Sequence, residues 1–219
     1  MKVLITGATG MVGKGVLLEC MESNDVSEII ILSRSSLKLV HPKVKEILVK
    51  NFNSFSEIKY QLAGLDACFY CMGVTSMGLN ENEYSKLTFD YCKNLADVLY
   101  EVSPKACFIY VSGTGTDSTE KGNVMWARVK GKTENYILNR GFKDSYAFRP
   151  GLIIPEKGVK SKTGWYNFFY VILRPFFPLM LKLKSVTSTS RIGKAMLYCA
   201  TKGSSLKHLE NRDINDLAK

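Results

Sequence analysis

The stretch "LITGATGMVGKG", Leu4 to Gly15, joins an apolar run to a segment whose apolar residues Val12, Val16, Leu17 and Cys20 recur at helical spacing. Its glycines, Gly7, Gly10 and Gly13, fall three apart. In a strand–turn–helix unit that spacing has a physical reading. Gly7 permits the tight turn, Gly10 lets the backbone approach a pyrophosphate, and Gly13 lets the helix pack closely on the strand. The helix N-terminus adds N–H donors and the positive end of its dipole. A second apolar run, "EIIIL" (Glu28 to Leu32), follows at the distance expected of a βαβ unit. A phosphate cradle is therefore predicted at residues 7–13.

Further runs continue the pattern: "EILV", "ACFYC", "ACFIYVS" and "SYAFRP". Between the middle two, Tyr84, Leu87, Tyr91, Leu95, Val98 and Val102 repeat at helical spacing. Strands that are continuously apolar and separated by helices imply a sheet covered on both faces. The expected fold is α/β, a doubly wound, mainly parallel sheet of Rossmann type. The 219 residues suit one nucleotide-binding domain over 1–219, with a looser substrate-side or partner section over 151–207.

The second strand ends in "SRSS". An acid there would suit the ribose hydroxyls of NAD, whereas Ser33, Arg34 and Ser35 suit a 2′-phosphate, with Lys14 nearby. NADP is accordingly expected over NAD, although an arginine at a loop tip is also at home in water alone. The net charge of +10 is concentrated late: residues 155–219 hold 12 of the 30 basic side chains and 4 of the 20 acidic ones. Such a surface suits anionic ligands, but no nucleic-acid-binding signature accompanies it. The apolar stretch from Trp165 to Leu183 is interrupted by Arg174, Pro175 and Pro178, which argues against a spanning helix. It is expected to cover the substrate side or to meet a partner chain, with membrane contact as the minor alternative.

Cys68 and Cys71 spell C-x-x-C inside a strand, where residues three apart face opposite ways, so neither a redox pair nor a metal site is expected. Two histidines without ligand-spaced partners likewise give no metal centre. Six scattered cysteines read as reduced thiols, and with no signal peptide at "MKVLITG" the expected location is cytoplasmic.

Four features taken together resemble short-chain dehydrogenases/reductases of the extended or atypical kind. They are the glycine motif, "CMG" ending at Gly73, Ser112 in "YVSGTGTD", and "RPG" at Arg149 to Gly151. "CMGVT", "KGKTEN" and the terminal "LENRDINDLAK" are similar to the Tat-interacting, CC3-like branch. The resemblance implies that Gly7, Thr9, Gly10, Met11, Val12 and Gly13 hold the pyrophosphate and that Ser33 and Arg34 meet the 2′-phosphate. Asn51 and Phe52 would lie near adenine, Met72 and Gly73 near ribose, and Arg149, Pro150, Gly151 and Leu152 near nicotinamide. Ser112, with Thr114 as a neighbour able to substitute, would bond the substrate oxygen. Lys130 would be the lysine of Tyr-x-x-x-Lys, binding the nicotinamide ribose.

The departure is Trp126, four residues before Lys130, where the family places the tyrosine that donates or accepts the proton. Indole offers only a weak N–H donor and no acid of use at neutral pH. Trp126 also shares helical spacing with Val129, Thr133 and Ile137, so a core role is open beside that of a lost proton donor. Asp90 would stand where the extended members place an asparagine of their proton relay. The resulting expectation is an NADP(H)-binding oxidoreductase-like protein, passing hydride to or from a small carbonyl or alcohol. The alternative is a non-catalytic NADPH-binding redox sensor acting through a protein partner or a second copy.

Overall fold

The computed structural model describes residues 1–159 and 177–219. The elements run in chain order as β1 (Lys2–Thr6), α1 (Met11–Glu22), β2 (Glu28–Ser33), β3 (Val44–Leu48) and β4 (Ala67–Tyr70). Next come α2 (Glu81–Ser85), a π turn over Lys86–Asp90, α3 (Tyr91–Val102), β5 (Cys107–Val111) and α4 (Met125–Leu138). The chain continues with β6 (Asp144–Arg149), β7 (Leu152–Ile154), α5 (Phe177–Met180), β8 (Val186–Ser188), α6 (Thr189–Lys202), β9 (His208–Glu210) and α7 (Asn211–Leu217).

Seven strands form one parallel sheet in the order β3-β2-β1-β4-β5-β6-β9, and β7 pairs in parallel with β8. This is the doubly wound Rossmann arrangement. Strands are laid down outward from β1 to β3 on one side and from β4 to β9 on the other. The helices that follow β1 and β4 therefore leave on opposite faces, and a crevice opens at the carboxyl ends of those two strands.

Alternation along each strand explains the two-sided core. Val3, Ile5, Ile29, Ile31, Phe69, Ile109, Tyr146 and Phe148 face α1 and α6, meeting Val16, Cys20, Ile192 and Met196. Leu4, Ile30, Leu32, Cys68, Tyr70, Phe108 and Tyr110 face α3, meeting Cys92, Leu95 and Leu99. Cys68 and Cys71 consequently pack in different clusters, as the period of two requires. Burial pushes both thiols far above the ordinary cysteine range. Among the described residues no group of three potential metal ligands occurs.

The section after Pro150 supplies Ile192, Ala195, Met196 and Cys199 to the main core, and β9 extends the sheet. Its apolar run falls largely on residues 160–176, outside the described residues. Among the described residues no helix is long and apolar enough to cross a membrane.

Two glycines set how closely α6 approaches α1. A Cβ on Gly15 would sit 2.5 Å from Thr189 Cβ, and one on Gly193 2.6 Å from Glu19 Cγ. Gly15→Ala should therefore lower stability by about 1–3 kcal/mol, as overpacking does. Gly73→Ala, whose methyl would enter open space, should change it by less than about 0.5 kcal/mol. Urea denaturation of the two variants checks both values.

Candidate functional site

The crevice begins at Gly7, whose φ of +68° lies in the left-handed region. A Cβ there would lie 2.6 Å from the Cys71 carbonyl carbon and 2.7 Å from Met72 N, so the turn presses directly on the end of β4. Gly10 N donates to Gly7 O at 2.8 Å, closing the turn. A Cβ on Gly13 would stand 2.3 Å from Gly7 O, which is the close helix–strand approach expected of the third glycine. Gly10 caps α1 without a side chain, and no acidic residue occupies the first turn, which begins with Met11 and Val12. The N–H groups and dipole of that turn are thus offered to an outside anion. A Cβ on Gly10 would press on Gly7 O at 3.3 Å and meet nothing else within 4 Å, so the far side of its α-carbon is clear of other groups. Thr9 lies in the turn between. This cradle fits a dinucleotide pyrophosphate.

Next along the sheet edge, Ser33 is buried and its hydroxyl donates to Ser35 O at 2.7 Å, so its proton is committed to its own loop. Arg34 is exposed and has no hydrogen-bond or ion-pair partner among the described residues. Glu46 on β3 takes Leu37 N at 2.6 Å and the Ser36 hydroxyl at 2.5 Å, fixing the loop that carries Arg34. Asn51 Oδ1 accepts from Asn53 N at 3.0 Å. Phe52 is buried, its ring centroid 5.4 Å from that of Phe55 and 5.9 Å from that of Tyr91. Met72 is half-buried at the end of β4 and Gly73 is exposed beside it.

The second half of the site is built on the loop after β5 and on α4. Ser112 N donates to Phe148 O at 2.7 Å, which holds the serine at the sheet edge. A Cβ on Gly131 would fall 1.8 Å from Asp117 O, so the loop lies flat on α4. Asp117 N donates to Ala127 O, and the Asp117 carboxylate accepts from Gly122 N at 2.7 Å. Lys130 reaches back from α4 and its ammonium donates to Ser112 O at 3.1 Å. Burial lowers its pKa to about 8, and Glu134 partly offsets that effect.

The hydroxyl of Ser112 has a definite direction. Its oxygen is 2.9 Å from Thr116 Oγ1, and Thr116 donates to Gly113 O at 2.7 Å. Thr116 has a single proton, which that carbonyl takes. Ser112 must then be the donor to Thr116, and it presents only lone pairs to a ligand. Thr116 was not singled out in the sequence. A hydroxyl four residues after the serine in "SGTGT" is the only sign of it.

Trp126 is half-buried and lies outside both core clusters. The buried stripe of α4 is formed by Ala127, Val129, Thr133, Glu134 and Ile137. The indole instead packs toward the loop that follows Ser112: its Cη2 lies 3.6 Å from where a Cβ on Gly115 would be. Asp90 is exposed at the end of the π turn.

Arg149 is taken up by a buried network rather than turned to the crevice. Its Nε and Nη2 meet both carboxylate oxygens of Glu134, at 3.0 and 2.5 Å, and Nη2 also reaches Ser118 Oγ at 2.5 Å. Glu134 is fully buried, and His208 Nε2 lies 3.4 Å from it. Thr114 Oγ1 faces Arg149 O at 3.0 Å and Glu210 at 3.1 Å, so it is drawn away from the role of a substitute for Ser112. Pro150 O accepts from Thr114 N at 3.2 Å, Gly151 N donates to Asn211 Oδ1 at 3.1 Å, and Leu152 is 47% exposed. Glu134 and Asn211, both absent from the sequence reading, thus position the loop after β6.

Two outcomes follow from these contacts. Glu134→Ala would leave the half-buried Arg149 guanidinium with Ser118 and the more distant Glu210 as its only partners among the described residues, and should cost about 1–3 kcal/mol in denaturant unfolding. The Lys130 ammonium has a lower pKa folded than the ordinary lysine value of 10.5. Between about pH 8 and 10.5 the unfolded chain therefore binds more protons, and stability gains a rising contribution with pH. The difference in unfolding free energy between wild type and Lys130→Met, measured across that window, should shift in favour of wild type as pH rises.

No protein-family model matches the chain. Among curated proteins it is 26% identical over 175 residues to "Protein FMP52, mitochondrial" of Eremothecium gossypii, covering 79% of this chain and 75% of that protein. It is 24% identical over 165 residues to "Protein HTATIP2" of Rattus norvegicus, covering 74% and 67%. Among solved structures, Gre2 of Candida albicans in complex with NADPH superposes with a TM-score of 0.70 at 15% identity, covering 96% of this chain and 77% of that one. The short-chain dehydrogenase/reductase YIR035C of Saccharomyces cerevisiae gives 0.68 at 14% identity and covers 99% of both chains. The expectation of a cytoplasmic location is overturned, because the FMP52 relatives are named mitochondrial. Buried, unpaired cysteines suit any reducing compartment and could not distinguish the two. By sequence over about three-quarters of its length, and by the fold of its sheet and helices, the chain is similar to the atypical short-chain dehydrogenases/reductases of the Tat-interacting, CC3-like branch.

Proposed function

We propose that the protein binds NADP(H) across the crevice at the ends of β1 and β4 and is an oxidoreductase-like protein acting on a small carbonyl or alcohol. The observation that carries this reading is the cradle. Gly7 lies against β4, Gly13 lies against Gly7 O, and the uncapped first turn of α1 opens beyond Gly10. The Gre2 structure contains NADPH and the WbmF structure of Bordetella bronchiseptica contains NAD+, the latter superposing with a TM-score of 0.67 at 14% identity over 99% of this chain and 76% of that one. Both lend support to a nicotinamide dinucleotide. The exposed, unpartnered Arg34, with Lys14 on α1, favours the phosphorylated form.

When bound, the cofactor would supply or accept the hydride. Lys130, with two N–H protons left beyond its bond to Ser112 O, would hold the nicotinamide ribose. Ser112 Oγ would accept a hydrogen bond from a ligand hydroxyl, which suits an alcohol better than a carbonyl. Leu152 and Gly151 would border the nicotinamide. Trp126 stands where a phenol would move the proton, so turnover would lack a factor of about 10²–10⁴.

A second reading is favoured by one specific observation. The Ser112 proton is already spent on Thr116 and the indole provides no acid, so the described site offers strong binding groups and few proton donors. On this reading the protein is an NADPH-binding sensor whose bound state is read by a protein partner.

NADPH should bind more tightly than NADH by about tenfold or more, and Arg34→Ala should remove the preference, as measured by calorimetric titration. Equal wild-type affinities would refute the NADP assignment. NADPH oxidation with small aldehydes, ketones and quinones should be slow in wild type and rise in Trp126→Tyr. Rapid wild-type turnover that survives Lys130→Ala and Ser112→Ala would place the chemistry elsewhere.

A further inference from the structure

Away from the crevice, a cavity of about 300 Å³ opens between the loop before β8, the first turns of α6 and the end of α7. Its lining holds four basic side chains, those of Lys182, Lys184, Arg191 and Lys219, and no Asp or Glu side chain. Asp216, the acid beside it, is already paired with Lys219 at 2.7 Å and is held below the ordinary carboxylate range by that contact. Lys182 and Lys184 are exposed and have no ion-pair partner among the described residues. Arg191 is oriented, because its Nη1 donates to Leu181 O at 2.9 Å and so ties the lysine-bearing loop to α6. Asn215 Nδ2 donates to Val186 O at 2.8 Å and fixes the opposite wall.

We propose that this cavity is a second anion site, taking a phosphate group. Gathering Lys182, Lys184 and Arg191 about one concave space with no carboxylate side chain paired to them raises their mutual repulsion, and a bound polyanion relieves it. The fixed guanidinium provides directional donors suited to phosphate oxygens, and the two free lysines provide charge. The site is separate from the nucleotide cradle, with which it shares no lining residue. Beside it Leu179 and Leu183 are 65% and 54% exposed. A phosphate carried on a phospholipid would bring acyl chains to meet them, whereas a phosphate on a soluble compound would not.

The test uses the full chain, with excess NADPH present to fill the nucleotide cradle, and two probes: inorganic pyrophosphate, and vesicles of phosphatidylcholine with or without phosphatidylglycerol. The variant Lys182→Ser/Lys184→Ser is compared with Lys194→Ser/Lys202→Ser, which removes the same charge from the exposed side of α6. The loop variant should lose affinity for at least one probe by about tenfold or more, given the contribution of each lysine to an anionic surface, while the α6 variant keeps most of it. Loss confined to phosphatidylglycerol vesicles assigns the site to a lipid headgroup, and loss for pyrophosphate assigns it to a soluble phosphate. Equal losses in both variants, or none in the loop variant for either probe, would overturn the proposal. Circular dichroism of the loop variant should match wild type, since both lysines are exposed.

Discussion

The structure depends on one close backbone contact, the turn at Gly7 pressed between the end of β4 and the start of α1. No side chain fits between Gly7 and Cys71, or between Gly13 and Gly7 O. This contact does two things at once. It seats α1 over β1 so that Val16 and Cys20 reach the core, and it brings the uncapped N-terminus of α1 to the point where the sheet changes winding direction. Packing and the proposed anion cradle thus share one local geometry. The glycines that permit it leave a concave surface rimmed with N–H groups.

The other half of the crevice is organised by groups that do not face it. Glu134 and Arg149 neutralise each other beneath the loop after β6, with Ser118 and His208 closing the network. Gly131 lets the loop after Ser112 lie on α4, and Lys130 fastens the serine's carbonyl. Because Thr116 gives its proton to Gly113 O, Ser112 is oriented as an acceptor. A small shift in a supporting hydroxyl therefore changes what the site can recognise. With an indole at Trp126, the crevice is richer in binding groups than in proton donors.

Much of this was legible in the sequence because the signals are local. Buried parallel strands read as unbroken apolar runs, and all six that were read this way lie in the central sheet, their ends shifted by a residue or two. The seventh, His208–Glu210, was not legible, since an edge strand of three residues carries two polar side chains and no run. The helical repeat from Tyr84 to Val102 concealed a π turn at Lys86–Asp90, which a period of 3.6 does not reveal. Site chemistry was harder, because it is set by contacts remote in sequence. The pairing of Arg149 with Glu134 and the direction of the Ser112 hydroxyl depend on partners that spacing alone does not identify. Trp126 shows the same limit. Helical spacing aligned it with Val129, while the fold turns it toward Gly115.

The central claim is that a nicotinamide dinucleotide lies against Gly10, and this position permits an unusually clean test. Its φ of −85° and ψ of 169° are open to any residue, and its Cβ would make one close contact, 3.3 Å to Gly7 O, which a shift of a few tenths of an ångström relieves, so Gly10→Val is compared with wild type at matched thermal midpoint. The added side chain would occupy the approach of the pyrophosphate. Titrating NADPH into wild type and Gly10→Val, followed by energy transfer from tryptophan, should show saturable binding in wild type. In a variant of unchanged thermal midpoint that binding should weaken by about a hundredfold or more, equivalent to about 2.7 kcal/mol. Saturable binding of equal strength in both proteins, or none in wild type, would contradict the account.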